Sequence, residues 1–143
     1  MTSARLRRGR ELGSRSPASP TAMVAGVRKA LLRAAGRGDK VTYGTLMRAF
    51  GLSRGKALTR MIAKVDHIEY ASKAPGFAAI IVRKDTGYPG GGYFCDGTLP
   101  EGLRRPVSRG NDPRLSAAEQ NHIKLQQRRI WSYYSRSGRS SRR

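Results

Sequence analysis

Cationic side chains dominate the groups in this sequence that could do chemistry. The 143 residues include 29 Lys plus Arg and 9 Asp plus Glu, which gives a formal net charge of +20. Most of the cations are arginines, whose planar guanidinium can bind a phosphate through two parallel hydrogen bonds and can stack on bases. A charge this far from zero repels itself unless a polyanion neutralises it. The composition therefore predicts nucleic acid as the partner, because phosphate contacts also release condensed counterions.

Three of these cations recur at the spacing of one helix face: Lys56, Arg60 and Lys64. No acidic residue shares that face at 100° per residue. Thr59 and Ala63 are small enough to let the helix approach base edges, where Arg60 could bind the O6 and N7 atoms of a guanine. Arg54, near the start of the same helix, is expected to hold a phosphate. A plain solvated helix face is the alternative, and the position of this helix favours DNA contact over it.

A glycine-rich string from Val82 to Phe94 is the most distinctive motif. It is not a Walker loop, because no Gly-Lys-Ser/Thr follows, and no helix opens after it as a dinucleotide site requires. We interpret it as a hairpin loop, in which glycines supply positive φ angles. In a functional form of this interpretation the loop is a wing whose tip binds a DNA groove or backbone. Three residues of this tip are candidate contacts: Arg83, Lys84 and Tyr88.

Residues for catalysis, metal binding or cofactor binding are not grouped in this sequence. His67 and His122 are the only histidines, and nothing clusters with them at metal-ligand spacing. Asp66 and Glu69 lie one helical turn apart, and we expect them to neutralise neighbouring Lys and Arg side chains rather than to flank a site. The prediction is a protein that is not an enzyme, with no catalytic residue, metal or cofactor.

Apolar periodicity predicts a helix-turn-helix. A first helix over Ala22–Ala35 is followed by a second helix that Thr42 caps and Gly51 ends. A third helix, with Ser53 as its N-cap, turns an apolar stripe inward: Leu58, Met61, Ile62 and Val65. A short glycine-containing turn between two helices, with a basic outer face on the second, is the helix-turn-helix pattern.

Strand signals complete a winged-helix order. Phe77–Val82 predicts a buried strand, Tyr93–Phe94 begins a return strand, and a short strand near Val41 is the third member of the sheet. The predicted fold is α+β and mostly helical: a winged-helix/helix-turn-helix core with a small β-hairpin wing, an extra C-terminal helix and disordered basic tails. The last helix begins with a capping box, in which Glu119 reaches back to Ser116.

Composition divides the chain into five segments. These are a disordered basic N-terminal arm over 1–20, a winged-helix-like core over 21–99, a linker over 100–114, a C-terminal helix packing on the core over 115–134, and a basic Arg/Ser tail over 135–143. The apolar run needed to span a membrane is missing, and so is the apolar region of a secretory signal. Together with a single cysteine, this leads us to expect a cytoplasmic, nucleoid-associated protein without a membrane partner.

The glycine-rich string resembles an uncharacterised prokaryotic and phage domain with the signature V-x-K-x-T-G-x-P-G-x-G-[YF]-F. The matching residues are Val82, Lys84, Thr86-Gly87, Pro89-Gly90, Gly92 and Tyr93-Phe94. The likeness covers roughly residues 22–134 and implies a winged-helix-like fold. Lys40–Leu58 is also similar to the DNA-binding half of DNA alkyltransferases. Those enzymes carry Pro-Cys-His-Arg, whereas Cys95 here lies in Phe-Cys-Asp-Gly, so the likeness extends to DNA binding and not to alkyl transfer.

We therefore predict a DNA-binding protein, either a transcriptional regulator or a nucleoid- or phage-associated factor. It would grip duplex DNA with a recognition helix, a glycine-rich wing and Arg-rich tails. Two alternatives stay open: an RNA- or ribosome-associated basic protein, and an interaction protein that inhibits an acidic partner. A DNA-modifying enzyme using Cys95 is a weaker hypothesis. A homodimer through the aromatic end of the last helix is also open: Trp131, Tyr133 and Tyr134.

Overall fold

The computed structural model describes residues 19–52, 56–110 and 112–141, with side chains through residue 135. The regular elements, in chain order, are α1 Pro20–Arg37, β1 Val41–Thr42, α2 Tyr43–Phe50, α3 Lys56–Ala71, β2 Ile81–Val82 and α4 Ala117–Ser141. The predicted α+β, mostly helical class is confirmed. Residues 1–18 of the predicted N-terminal arm, together with Ser53 and Arg54, lie outside the described residues, so their predicted roles stay predictions.

Local capping signals set the bounds of the first two helices. Ser19 Oγ accepts a hydrogen bond from the N–H of Ala22 (3.1 Å), and Gly38 ends α1 with a φ of 77°. This cap makes α1 longer than predicted at its N-terminus. Thr42 Oγ1 accepts from the N–H of Thr45 (3.1 Å), and Gly51 ends α2 with a φ of 65°. The bounds predicted for α2 are confirmed.

The core forms where α1 packs against α2, α3 and α4. The apolar stripe predicted for α3 is confirmed, because Leu58, Met61 and Val65 are buried and Ile62 is partly buried. The side of α4 that faces the core carries five buried residues: Glu119, Ile123, Gln127, Ile130 and Tyr134. The Tyr134 ring stacks on Phe77 with 4.8 Å between centroids. The aromatic end of α4 is thus occupied by contacts within its own chain.

The predicted short strand near Val41 is confirmed as β1, and it pairs in parallel with β2. Val41 lies opposite Ile81 and Thr42 opposite Val82, and α2 and α3 form the connection between them. The predicted hairpin wing requires β2 to pair with a return strand at Tyr93–Phe94. The predicted strand Phe77–Val82 is extended only over its last two residues. The predicted return strand at Tyr93–Phe94 is wrong, because the chain from Gly91 to Cys95 is a 3-10 helix.

The glycine-rich string fails to form a hairpin because it closes on itself. The N–H of Arg83 donates to the carbonyl of Tyr88 (2.9 Å), and the N–H of Gly87 donates to the carbonyl of Arg83 (2.9 Å). Gly87 adopts a φ of 74°, which favours glycine. Pro89 then has no N–H to continue a strand ladder. The N–H of Gly90 donates to Tyr43 Oη (3.0 Å), which fixes the turn to the start of α2.

Gly91 is the point where this string meets the segment before α4. A Cβ at Gly91 would lie 2.6 Å from the carbonyl oxygen of Gly110 and 2.7 Å from that of Asp112, and against the Arg105 guanidinium. Gly92, by contrast, has open space within 4 Å of its Cβ position. The two neighbouring glycines therefore differ in what the fold requires of them.

Arg105 organises residues 100–114, the segment predicted as a linker. Its side chain is buried, and its Nε and Nη2 atoms donate to the two oxygens of Glu119 at 2.7 Å and 2.9 Å. Its remaining donors contact the carbonyl oxygens of Arg109, Asp112 and Arg114. Glu119 also accepts from the N–H of Ser116 (2.8 Å), which confirms the predicted capping box. The Arg105 guanidinium holds the pKa of the Glu119 carboxyl below its usual range.

Both acidic residues of α3 point into the protein. Glu69 pairs with Arg28 of α1, as expected for a carboxylate that neutralises a neighbouring cation. Asp66 instead accepts a hydrogen bond from the N–H of Phe77 (2.6 Å), beyond the end of α3. Burial raises the pKa of the Asp66 carboxyl from 3.8 to about 6, although the backbone hydrogen bonds oppose that shift. The ionised form of Asp66 is therefore less stable in the fold than in the unfolded chain.

Substitution of Gly91 by Ala is expected to destabilise the protein by about 1–3 kcal/mol, because a Cβ would overlap two backbone carbonyls that cannot rotate away. Gly92→Ala is the matched control and should leave stability nearly unchanged. Urea unfolding monitored by circular dichroism measures both free energies. Equal midpoints for the two variants would contradict the close packing at Gly91.

Asp66→Asn is expected to gain stability relative to the parent protein as pH rises from about 4 to 7, by up to about 3 kcal/mol. The folded pKa of Asp66 is raised, so its contribution is complete below the unfolded pKa and is lost as pH rises through the folded pKa. The asparagine cannot ionise and keeps an oxygen that accepts from Phe77. Urea unfolding between about pH 4 and 7 measures the free energy of unfolding of both proteins, and Asp96→Asn, at an exposed carboxylate, is the control. A difference in stability between Asp66→Asn and the parent protein that does not change with pH would contradict the raised pKa of Asp66.

Candidate nucleic-acid interface

The outward face of α3 is cationic from Lys56 to Lys64. Every residue predicted to form this face is exposed: Lys56, Thr59, Arg60, Ala63 and Lys64. The acidic residues of the same helix, Asp66 and Glu69, are only 6% and 3% exposed and lie on the core side. Among the described residues, the three cations form no ion pair. The structure therefore presents a row of basic groups with no carboxylate of α3 beside it.

The tip of the glycine-rich string offers fewer free groups than its sequence indicates. The Arg83 guanidinium is bound to Asp85 through two hydrogen bonds, of 2.9 Å and 2.8 Å. This pairing lowers the pKa of the Asp85 carboxyl. The Tyr88 ring is half-buried, and Lys40 lies 5.9 Å above its centroid while donating to the carbonyl of Gly87 (3.1 Å). Of the three predicted contacts, Lys84 is the one that is exposed and, within the described residues, unpaired.

A small concavity brings the string next to the beginning of α2. It has a volume of about 270 Å³, and Arg83 and Lys84 line it together with Arg48 and residues 42–45. Arg48 was missed as a site residue because only the parallel pairing of β1 with β2 brings α2 beside Lys84. The backbone N–H groups at a helix start favour an anion. The concavity thus adds two cations that are unpaired among the described residues, Arg48 and Lys84, at a second place apart from the α3 face.

Acidic side chains do little to offset this surface. Glu119 is buried against Arg105 in the same way that Glu69 is buried against Arg28. Asp85 is bound to Arg83, and the Oδ1 atom of Asp112 lies 3.3 Å from the Nε atom of Arg114. Further exposed cations missed by sequence reasoning lie on α4: Lys124, Arg128 and Arg129. The four-residue spacing of Lys124 and Arg128 was the signal that could have found this group.

The reactive residue types lie in structural positions. Cys95 is half-buried, and its Sγ is 3.7 Å from the carbonyl oxygen of Pro106. His122 is hydrogen-bonded to Tyr93 Oη (3.2 Å), and burial lowers the pKa of its ring. Within the described residues, no group of three His, Cys, Asp or Glu could hold a metal ion. No helix in that part of the chain has the length and apolar character that a membrane crossing requires.

Comparisons with protein-family models, with curated proteins and with solved structures found no match to this chain. The function is therefore inferred from the chain's own residues, and the resemblance of the glycine-rich string to a prokaryotic and phage domain stays a prediction.

Proposed function

We propose that this protein binds nucleic acid, with duplex DNA as the preferred partner, through the outward face of α3. The observation that carries the proposal is the sorting of charge on that helix. Lys56, Arg60 and Lys64 are exposed while both acidic residues of the helix are buried. In a chain with a net charge of +20, such a face attracts a polyanion and contains no carboxylate that would repel phosphates.

The dimensions of this face suit the major groove. Eight residues separate Lys56 from Lys64, which corresponds to a length of about 12 Å along the helix axis. The major groove admits an α-helix, and the small side chains of Thr59 and Ala63 would let the backbone come close to base edges. The order of α2, a turn and α3 is that of a helix-turn-helix, whose second helix reads the groove. Arg60, in the middle of the row, is the residue best placed to read a base.

Other cations would add contacts to the phosphate backbone. Arg48 and Lys84 lie beside the start of α2, and residues 1–20 add five arginines to the total charge. If six to ten phosphates are neutralised, affinity falls by about 10³–10⁵-fold between 50 and 200 mM salt. Modest sequence preference on a strong non-specific background fits either a transcriptional regulator or a nucleoid- or phage-associated factor.

RNA binding is the second candidate, and the cations of α4 favour it. Lys124, Arg128 and Arg129 are exposed on a different helix from the proposed recognition face. A surface that is cationic on several sides binds any phosphate backbone without regard to groove shape. The two functions therefore differ in whether the α3 face matters more than the α4 face.

The deciding experiment compares Lys56→Ala/Arg60→Ala with Lys124→Ala/Arg128→Ala. Both double variants remove two exposed cations four residues apart on one helix, so they change net charge equally. Fluorescence anisotropy across a salt series would measure binding to duplex DNA, single-stranded DNA and duplex RNA. For the α3 variant and duplex DNA we expect a loss of affinity and a salt slope that is smaller by about one, because Lys56 would contact a phosphate and Arg60 a base.

The α4 variant should bind duplex DNA more nearly like the parent protein. Equal losses for both variants on all three polymers would show that binding follows net charge alone, and the α3 interface would be wrong. No binding to any of the three polymers at low salt would overturn the proposed function itself.

Asp85→Asn is expected to increase affinity for duplex DNA, because it releases the Arg83 guanidinium beside Lys84 and removes one negative charge. The salt slope should steepen by about one if the released arginine contacts a phosphate. Asp96→Asn removes an exposed carboxylate that no arginine binds, and it is the matched control. The same anisotropy assay measures both variants. Equal affinity gains would mean that Arg83 does not contact the nucleic acid.

A further inference from the structure

A groove with an apolar floor runs between α1 and α3. Its volume is about 790 Å³, and the apolar side chains that line it include Val24 and Leu32 from α1 and Ile68 from α3. Ile68 is 41% exposed, whereas the other two are partly buried against the core. A cleft of this size, lined mostly by apolar groups, is typical of a binding site rather than of an ordinary helix surface.

The rim of the groove is cationic. Arg28, Lys29, Lys64 and His67 line it, and no acidic residue from the described part of the chain does. Arg28 is already paired with the buried carboxylate of Glu69. Lys29 and Lys64 are exposed, and neither forms an ion pair or hydrogen bond with any other described residue. An occupant that brought carboxylates to these two ammonium groups would neutralise them on opposite sides of the apolar floor.

The lining discriminates among the possible occupants. Among the described residues, no Phe, Tyr or Trp lines the groove and His67 is its one ring, so unpaired bases would find little to stack on, and phosphates gain nothing from valine, leucine or isoleucine. The arginine-rich residues 1–18 and a second copy of this +20 chain would both be repelled by the rim. An acidic partner with an apolar stripe matches both the floor and the rim.

The length of the groove fits a helix. Its lining extends along α1 from Thr21 to Leu32, which is about 16 Å or three helical turns. An amphipathic helix places apolar side chains at i, i+3, i+4 and i+7 on one stripe and charged groups beside it. We infer that the groove is the docking site for an acidic amphipathic helix of a partner protein, with its apolar stripe on the floor and its carboxylates at Lys29 and Lys64.

Docking would also affect nucleic-acid binding, because Lys64 belongs to both surfaces. A carboxylate bound at Lys64 would remove one of the three cations of the α3 face. This consequence alone rests on the proposed function. The docking itself does not, and it can be measured without nucleic acid.

The test uses a synthetic peptide of about 18 residues, with leucines at helical i, i+3, i+4 and i+7 positions and glutamates elsewhere. A peptide of the same composition with scattered leucines is the control. Fluorescence anisotropy should show binding of the amphipathic peptide and much weaker binding of the scattered one. Ile68→Asp should weaken the binding at least about tenfold, because it places a carboxylate on the apolar floor. Leu125→Asp, at an exposed leucine of α4 outside the groove, should not.

A second pair of variants guards against misfolding. Lys29→Glu and Lys124→Glu both reverse an exposed charge, and only the first lines the groove. Equal binding of the two peptides, or equal effects of Ile68→Asp and Leu125→Asp, would overturn the proposal. A dimer that Ile68→Asp dissociates would assign the groove to a second copy, and a selective loss of oligonucleotide binding would assign it to nucleic acid. If the peptide fails to bind while duplex DNA still binds, only the docking site is wrong.

Discussion

The carboxylate of Glu69 ties together the three longest helices of this protein. It lies on α3, is 3% exposed, pairs with Arg28 of α1 and accepts from the hydroxyl of Tyr134 on α4 (2.9 Å). Burial and this carboxylate together raise the pKa of Tyr134, so the hydroxyl keeps its proton and remains a donor. Removing one partner of a buried ion pair leaves an uncompensated charge in the core, which is strongly destabilising. The rotation of α3 about its axis is therefore fixed by a polar contact as well as by its apolar stripe.

The rotation of α3 also determines the sign of the charge on its outer face. With Glu69 held by Arg28 and Asp66 held by the backbone of Phe77, the negative groups of α3 face inward and its positive groups face outward. Glu119 is withdrawn in the same way by Arg105. The chain has few acidic residues, and several of them are used in contacts between its own elements. Arginine donors offset the cost of burying Glu69 and Glu119, whereas backbone donors offset that of Asp66 only in part. The face of α3 from Lys56 to Lys64 is left with cations alone.

The parts of this fold that depend on residues close together in the sequence could be predicted from it. The bounds of α2 follow from Thr42 and Gly51, and the exposed face of α3 follows from the 100° spacing of its side chains. The return strand at Tyr93–Phe94 could not be excluded, because that requires knowing that Gly91 contacts the backbone of residues 110 and 112. Composition indicated a linker around Arg105, whereas five hydrogen bonds from its side chain pack this segment against the start of α4.

The candidate site also has a part that the sequence predicts and a part that it does not. The first part is a charged face that attracts anions, and the second is a groove that binds apolar groups. The charges of α3 could be predicted from the sequence. The groove beside them could not, because it depends on how α1 packs against α3, which leaves Val24 and Ile68 partly exposed. Coulomb attraction to either a phosphate backbone or an acidic helix is screened over about 8 Å at physiological salt. Apolar contact in the groove is not weakened by salt in this way. Of the two proposed partners, only one that carries an apolar stripe could use the floor, so under both proposals rising ionic strength would shift the balance at Lys64 from nucleic acid toward the acidic helix.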